Sequence, residues 1–421
     1  MSLSHILVGL AVALVVFFIA NVSTGEKKVD RKIAALYSVE DGAFVRSMGN
    51  LLGPQLTEGN RTQELLNGDA IFPAMLEAIR GAQKSITFET YIYWSGEIGK
   101  EFSQALSDRA RAGVRVHVLL DWVGTSKMND SELDEMREAG VLVEKYHPIR
   151  FFNLGRLNNR THRKLLVIDG SIGFTGGVGI ADKWLGDAKD PDHWRDTHFR
   201  VEGPAVAQMQ GAFMDNWIKS RGEVLHGNDY FPPLAKAGDQ IAQVFKSSAN
   251  EGSESARLMY LMSITCAARS VRIANSYFVP DDLSVETLVA AKKRGARVQI
   301  IVPGEHIDAE VTRKASKSRW GPLLEAGAEI YEFQPTMYHC KVMIIDEIWV
   351  SVGSTNFDSR SFRLNDEANL NVLDAGFAKR QVEIFEADLL RSRPFTHAQW
   401  KRRPFSEKVM EHMAGLLRSQ L

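Results

Sequence analysis

A histidine and a lysine separated by one residue occur twice in this chain of 421 residues, as His162 with Lys164 and as His339 with Lys341. Side chains at i and i+2 of a strand share a face, so each pair presents one imidazole and one ammonium in the same direction. Both pairs sit in longer matching runs, THRKLLVIDGSIGFTGG and YHCKVMIIDEIWVSVGS. Each run reads H-x-K-x4-D, then six residues, then G-[GS]. Brought together by a pseudo-two-fold axis, two imidazoles and two ammonium groups converge on one anionic centre. That set suits displacement at phosphorus: one imidazole attacks, the other protonates the leaving oxygen, and the lysines neutralise the non-bridging oxygens. Such a centre calls for no cofactor and no metal. Asp169 and Asp346 stand seven residues beyond their histidines, an odd step that turns them to the opposite face of a straight strand. They read as holders of the following turn rather than as participants. The apolar runs LLVI and VMII need no function beyond burial.

These side chains require a scaffold that repeats, and the chain supplies one. IFPAMLEAIRGAQ has helical periodicity, KSITFETYIYW alternates as a strand, EFSQALSDRARAG is helical and VRVHVLLDW reads as a buried strand. A further helix, SELDEMREAG, and a strand, VLVEKY, follow. The second half replays the series, with RAGVRVHVLL matching KRGARVQIIV and REAGVLVEKY matching LEAGAEIYEF. Alternating strand and helix predicts an α/β layer in each copy, a mostly parallel sheet covered by helices. Gly227 to Ser255, with a proline pair at 232–233 and the polar run KSSANEGSES, is the expected linker. Residues 25 to about 60 carry no clear pattern.

Composition narrows the class of protein. Lys plus Arg number 51 against 52 Asp plus Glu, 44% of residues are hydrophobic, and there are only two cysteines, Cys266 and Cys340. Disorder and a disulfide framework are excluded, and a net charge of −1 is adverse to nucleic-acid binding. The N-terminus departs from this average. Leu3 to Val22 is apolar enough to cross a bilayer, and Lys27, Lys28, Arg31 and Lys32 follow it with nothing basic before. The expectation is a single transmembrane anchor at 3–22 with the body in the cytoplasm. A cleaved signal peptide is the competing reading, disfavoured by the missing basic start and the lack of a small-x-small site.

The duplicated core resembles the signature of the phospholipase D superfamily, H-x-K-x4-D-x6-G-[GS]-x-N. ETYIYW, VLLDWVGTSK, LNNRTHRK, HWRD, NSYFVPDD and GSTNFDSRSFRLNDEANL are more closely similar to its bacterial cardiolipin synthases, and the likeness spans residues 60 to 400. The resemblance implies two tandem phospholipase D-like α/β sandwich halves, 60–226 and 253–400, sharing one active site, with 401–421 as a tail helix. It makes His162 the nucleophile that becomes phosphohistidine and His339 the general acid. Lys164, Lys341 and Asn356 would hold the phosphoryl oxygens, with Ser354 nearby. Asp169 and Asp346 count with the site because the signature includes them. Glu367 is expected to orient the histidine of its own half, His339, and Asp196 to orient His162, each carboxylate fixing a tautomer. The implied reaction condenses two phosphatidylglycerols to cardiolipin and glycerol at a bacterial inner membrane, with anionic phospholipids as partners. Hydrolysis to phosphatidic acid is the alternative, and a nuclease of the same superfamily a more distant one.

The first copy departs from the signature, since Gly179 stands where Asn356 stands in the second, so the oxyanion site is expected to be asymmetric. GGVG fails as a dinucleotide motif because Asp182 occupies the next glycine position. Cys340, between His339 and Lys341, faces away from the site by strand alternation and reads as a small buried hydrophobe. His193 and His198 lack the spacing of a metal site. Arg150, Arg156, Arg160 and Arg163 surround the first motif and could draw anionic headgroups to its mouth. The tail from Arg391, including Trp400, is expected to pack on the body.

Overall fold

The computed structural model describes residues 29–34, 37–148, 159–248 and 254–416, with isolated positions among the first fourteen residues. The expected span at Leu3 to Val22 lies almost wholly outside these. Among the described residues no helix is long and apolar enough to cross a membrane.

The first half runs α1 (Gly42–Leu52), β1 (Thr57–Leu66), α2 (Asn67–Gly81), β2 (Ser85–Thr90), α3 (Glu97–Arg111), β3 (Arg115–Asp121), α4 (Asp130–Glu138), β4 (Leu142–Tyr146), β5 (Arg160–Thr161), β6 (Leu165–Ile168), β7 (Ile172–Gly176), β8 (Thr197–Glu202) and α5 (Ala205–Arg221). The second runs β9 (Gln240–Ser247), α6 (Ser255–Thr265), β10 (Ser270–Asn275), α7 (Asp282–Lys293), β11 (Arg297–Pro303), α8 (Glu310–Glu325), β12 (Glu329–Phe333), β13 (Lys341–Ile345), β14 (Trp349–Gly353), α9 (Ser359–Arg363), β15 (Asn365–Leu373), α10 (Ala375–Leu389), β16 (Ser392–Phe395), α11 (His397–Arg402) and α12 (Phe405–Leu416).

The matched runs become matched elements for local reasons. RVHVLLD and RVQIIVP are buried on both faces after their first residue, as strands covered by helices on either side must be. The helices before them end at Gly113 and Gly295, whose φ of +90° and +105° lies in the left-handed region that glycine enters without a Cβ clash.

The strands join in one sheet of order β16-β12-β11-β10-β13-β14-β15-β9-β1-β8-β7-β6-β2-β3-β4. The halves repeat the same order outward from an antiparallel seam, where Thr57 of β1 pairs with Ala242 of β9. Along this path, parallel pairing is confined to β2-β3-β4 and β10-β11-β12. The sheet is therefore mixed rather than mostly parallel. The tight returns after Asp169 and Asp346 leave too few residues for a crossover, so β6–β7 and β13–β14 are antiparallel. The expected linker contains β9, which pairs with β15 along its length; the proline pair precedes this strand and the polar run begins within it, at Lys246.

Each half has its own core, around Phe88, Phe102 and Trp184 in the first and Trp320, Trp349 and Phe357 in the second. A third apolar cluster draws Leu165, Val167 and Val201 together with Val244, Leu370 and Val372, tying the halves through buried side chains. The tail packs on the body. Trp400 donates its indole N–H to the Lys317 carbonyl at 2.9 Å and lies over Gly321, where a Cβ would come within 2.5 Å of the ring.

Candidate active site

β5 leaves its own half and pairs in parallel with β15 of the other, Thr161 opposite Asp366. The His162 N–H then donates to the Asp366 carbonyl at 2.9 Å. That bond has a counterpart across the pseudo-two-fold axis, where the His339 N–H donates to the Arg195 carbonyl at 2.7 Å. Each histidine is thereby fastened to the backbone of the opposite half. His162 Nδ1 lies 3.1 and 3.0 Å from the two Glu367 carboxylate oxygens, and His339 Nδ1 lies 2.7 Å from Asp196 Oδ2. The expected pairing is corrected on this point: Glu367 serves His162 and Asp196 serves His339, each carboxylate reaching across the interface. Strand register sets this exchange, and spacing within one half carries no trace of it.

With Nδ1 beside a carboxylate, both imidazoles line a shared cavity of about 400 Å³ together with Lys164 and Asn356, and Lys341 Nζ lies 3.1 Å from His339 Nε2. Lys164 Nζ donates to the His162 carbonyl at 2.8 Å, and Lys341 Nζ to the His339 carbonyl at 2.7 Å. Lys341 also donates to Ser276 Oγ at 2.8 Å, whose hydroxyl donates to Asn356 Oδ1 at 2.8 Å. The Asn356 amide N–H₂ is then left as the donor for a ligand. At the matching place in the first half a Cβ on Gly179 would lie 2.8 Å from Ile92 and 3.2 Å from Trp184. The asymmetry expected from Gly179 has a steric cause.

Three expected site residues sit elsewhere. Ser354 donates to Glu367 Oε2 and accepts from the Ala368 N–H, so it braces the carboxylate behind His162 instead of facing the cavity. Asp169 accepts backbone N–H groups from Gln83, Lys84 and Ser85, and Asp346 accepts them from Ala268, Arg269 and Ser270. Both have left-handed φ, +51° and +52°, and neither lines the cavity. They tie the hairpin turn to the start of the neighbouring strand. Of the basic cluster, Arg150 and Arg156 lie outside the described residues and Arg160 lines the cavity. Arg163 does not border the mouth: it is buried, donating to the carbonyls of Ala212 and Glu367 and pairing with Asp215 at 3.1 Å. Cys340 is buried in the cluster shared by the halves. His193 pairs with Asp190, and among the described residues no group of three or more His, Cys, Asp or Glu is placed to hold a metal ion.

Other cavity residues lie outside the expected site. Tyr91 of ETYIYW stands edge-on to His162 with ring centroids 5.3 Å apart, and Tyr277 of NSYFVP donates to Asp308 at 2.7 Å. Trp184 and Trp194 flank His339 at 5.3 and 5.5 Å. In the repeat Tyr91 falls opposite Ser276 and Tyr277 opposite Ile92, so the duplication did not mark either tyrosine.

Burial dominates the electrostatics. It pushes His162 down to about 4, with Lys164 and Lys341 adding to the effect and Glu367 opposing it. Burial and then Lys341 lower His339 against the pull of Asp196. Burial brings Lys164 down to about 7 and Lys341 to about 8. For Glu367 and Asp196 burial works upward, but the facing histidines and lysines outweigh it and hold both carboxyls below their ordinary range. Burial thus favours neutral imidazoles, and the two lysines offset the two carboxylates below about pH 7, where both carry their charge.

A family model for the phospholipase D-like domain of cardiolipin synthase matches residues 75–216 and 260–389. The major cardiolipin synthase ClsA of Bacillus subtilis (strain 168) is 36% identical over 365 residues, 86% of this chain and 75% of that protein. A cardiolipin synthase of Geobacillus thermodenitrificans is 34% identical over 361 residues, 85% of this chain and 72% of that protein. Among solved structures, phosphatidylserine synthase of Haemophilus influenzae superposes with a TM-score of 0.66 at 14% identity, covering 89% of this chain and 99% of that one, a likeness of fold. With the duplicated domain matched in both halves and these relatives aligned along most of its length, the chain belongs to the phospholipase D-like family of cardiolipin synthases.

Proposed function

We propose that the shared cavity condenses two phosphatidylglycerols to cardiolipin and glycerol through a phosphohistidine on His162. The observation that carries this reading is the pair of imidazoles, each backed by a carboxylate from the opposite half, lining one cavity with Lys164 while Lys341 lies against the His339 ring. His162, lowered further from protonation than an ordinary histidine, offers a free Nε2 lone pair to phosphorus. The arriving phosphodiester brings one negative charge to a balanced centre, which draws a proton onto His339 beside Asp196. His339 then gives that proton to the leaving glycerol oxygen as the phosphorus–oxygen bond breaks and the nitrogen–phosphorus bond forms. In the second step His339 takes the proton of an acceptor hydroxyl, the new phosphorus–oxygen bond forms, and His162 is released. Lys164, Lys341 and the Asn356 amide carry the charge on the non-bridging oxygens in both steps.

Transfer competes with hydrolysis, and placement decides between them. An acceptor alcohol held against the phosphohistidine gains an effective concentration on the order of 10⁵ M or more, far above that of water. An apolar N-terminal anchor with the body on the cytoplasmic side would present donor and acceptor from one leaflet, in keeping with Leu3 to Val22 and the basic residues behind it. Purified protein with phosphatidylglycerol vesicles is expected to yield cardiolipin and glycerol, with phosphatidic acid as the minor product. Phosphatidic acid alone would replace the transferase reading with the hydrolase, and cleavage of DNA with lipid untouched would replace both.

A further inference from the structure

The cavity repeats its His-Lys pairs at the floor, where Asn356 has no counterpart, and is asymmetric again at its mouth. On the floor lie the buried His-Lys pairs. Arg160 and Arg360 line the same cavity but are only partly buried, one from each half. Arg160 is two residues before His162, so Arg160, His162 and Lys164 follow the spacing that keeps side chains on one strand face. The duplication puts Met337 at the place of Arg160, and it is buried in the first half's apolar core. It puts Lys183 at the place of Arg360, and that ammonium pairs with Asp192 at 3.2 Å away from the cavity. The guanidinium pair therefore has no counterpart on the His339 side, where Trp184 and Trp194 form the wall.

A single reacting phosphate is served by the floor. The second phosphatidylglycerol brings another phosphate, three carbons from the hydroxyl that attacks, and the floor has no further cations for it. We propose that Arg160 and Arg360 form a second anion subsite at the cavity mouth that holds the phosphodiester of the acceptor lipid while its hydroxyl reaches the phosphohistidine. Guanidinium groups suit this task because their forked donors match phosphate oxygens. Local electrostatics agree. Burial and the repulsion of Arg160 lower Arg360 from its ordinary value, against the pull of Asp358, so an anion between the two would relieve like-charge repulsion.

This inference rests on the transferase reading, and a competition between acceptors tests it separately. Full-length protein is given phosphatidylglycerol vesicles with added ethanol, a neutral alcohol that needs no anion subsite, and the ratio of cardiolipin to phosphatidylethanol is measured. Both products draw on the same phosphohistidine, so the ratio does not depend on how much protein is folded or how fast the intermediate forms. Arg160→Gln and Arg360→Gln should each lower that ratio about tenfold, the loss expected for one charge-assisted hydrogen bond, with Arg360→Lys retaining more of it. An unchanged ratio beside a reduced total rate would overturn the proposal, assigning the arginines to the donor or to the fold. Wild-type protein that forms phosphatidylethanol and no cardiolipin would instead overturn phosphatidylglycerol as the acceptor, and the acceptor subsite with it.

Discussion

His162 and His339 are related by the duplication but differ in their surroundings, one beside Tyr91 and the other between Trp184 and Trp194. Their roles in the two-step scheme are nonetheless interdependent. His162→Ala and His339→Ala should each abolish turnover, and the double variant should lose little more, because the residues act as a unit. Substantial turnover by either single variant would contradict a shared centre; acid-labile, base-stable phosphate trapped during turnover should map to His162. The lysines set a second expectation. Lys164 and Lys341 are charged below about 7 and about 8 and neutral above. The kcat/KM for phosphatidylglycerol, which reports the free enzyme, should therefore fall as pH rises through that window. Stability has the opposite slope there: these lysines bind protons more weakly folded than unfolded, so their contribution to stability grows with pH up to the ordinary lysine range and is lost as pH falls to their folded values. Parallel measurements of kcat/KM and melting temperature across the window would show it, and a flat rate profile would contradict it.

At the scale of elements, the odd spacing from histidine to aspartate sets Asp169 and Asp346 apart from the His-Lys pairs, and both sit in the turns after β6 and β13 with their carboxylates on backbone N–H groups. What they bind was not legible, since Gln83 to Ser85 and Ala268 to Ser270 approach only after the neighbouring strands pair. Asp346→Ala removes a charged acceptor from three backbone donors in a buried site, and a stability loss of about 3 kcal/mol is expected. Asp169, less buried, should cost less. Specific activity of the remaining folded protein should persist in both; loss of activity without loss of melting temperature would restore the aspartates to the mechanism. β9 shows the limit of pattern reading in the other direction. QIAQVFKS is short, contains two glutamines and one lysine, follows a proline pair and ends inside a polar run, so local composition spoke for a linker while pairing with β15 made it a strand.

At the scale of the molecule, the exchange of carboxylates makes each half chemically incomplete. A substrate with a p-nitrophenolate leaving group separates the two assignments, since that group departs without a proton. Asp196→Asn should then keep most of its initial burst of p-nitrophenol, because Asp196 serves the acid His339, while Glu367→Gln should lose it, because Glu367 serves the nucleophile His162. The reverse result would favour pairing within each half. The types and spacing of two His-Lys pairs, the repeat that carries them, the α/β class and the family are properties of the sequence itself, because side-chain periodicity and short motifs are local. The tertiary structure decided which carboxylate meets which histidine, that Ser354 stands behind the site and Arg163 beneath it, and that the cationic mouth is one-sided. The exchange of carboxylates depends on β5 leaving its own half to pair with β15 and on the bridge from Arg195 to Tyr338, contacts between residues more than a hundred positions apart that no spacing within either repeat encodes.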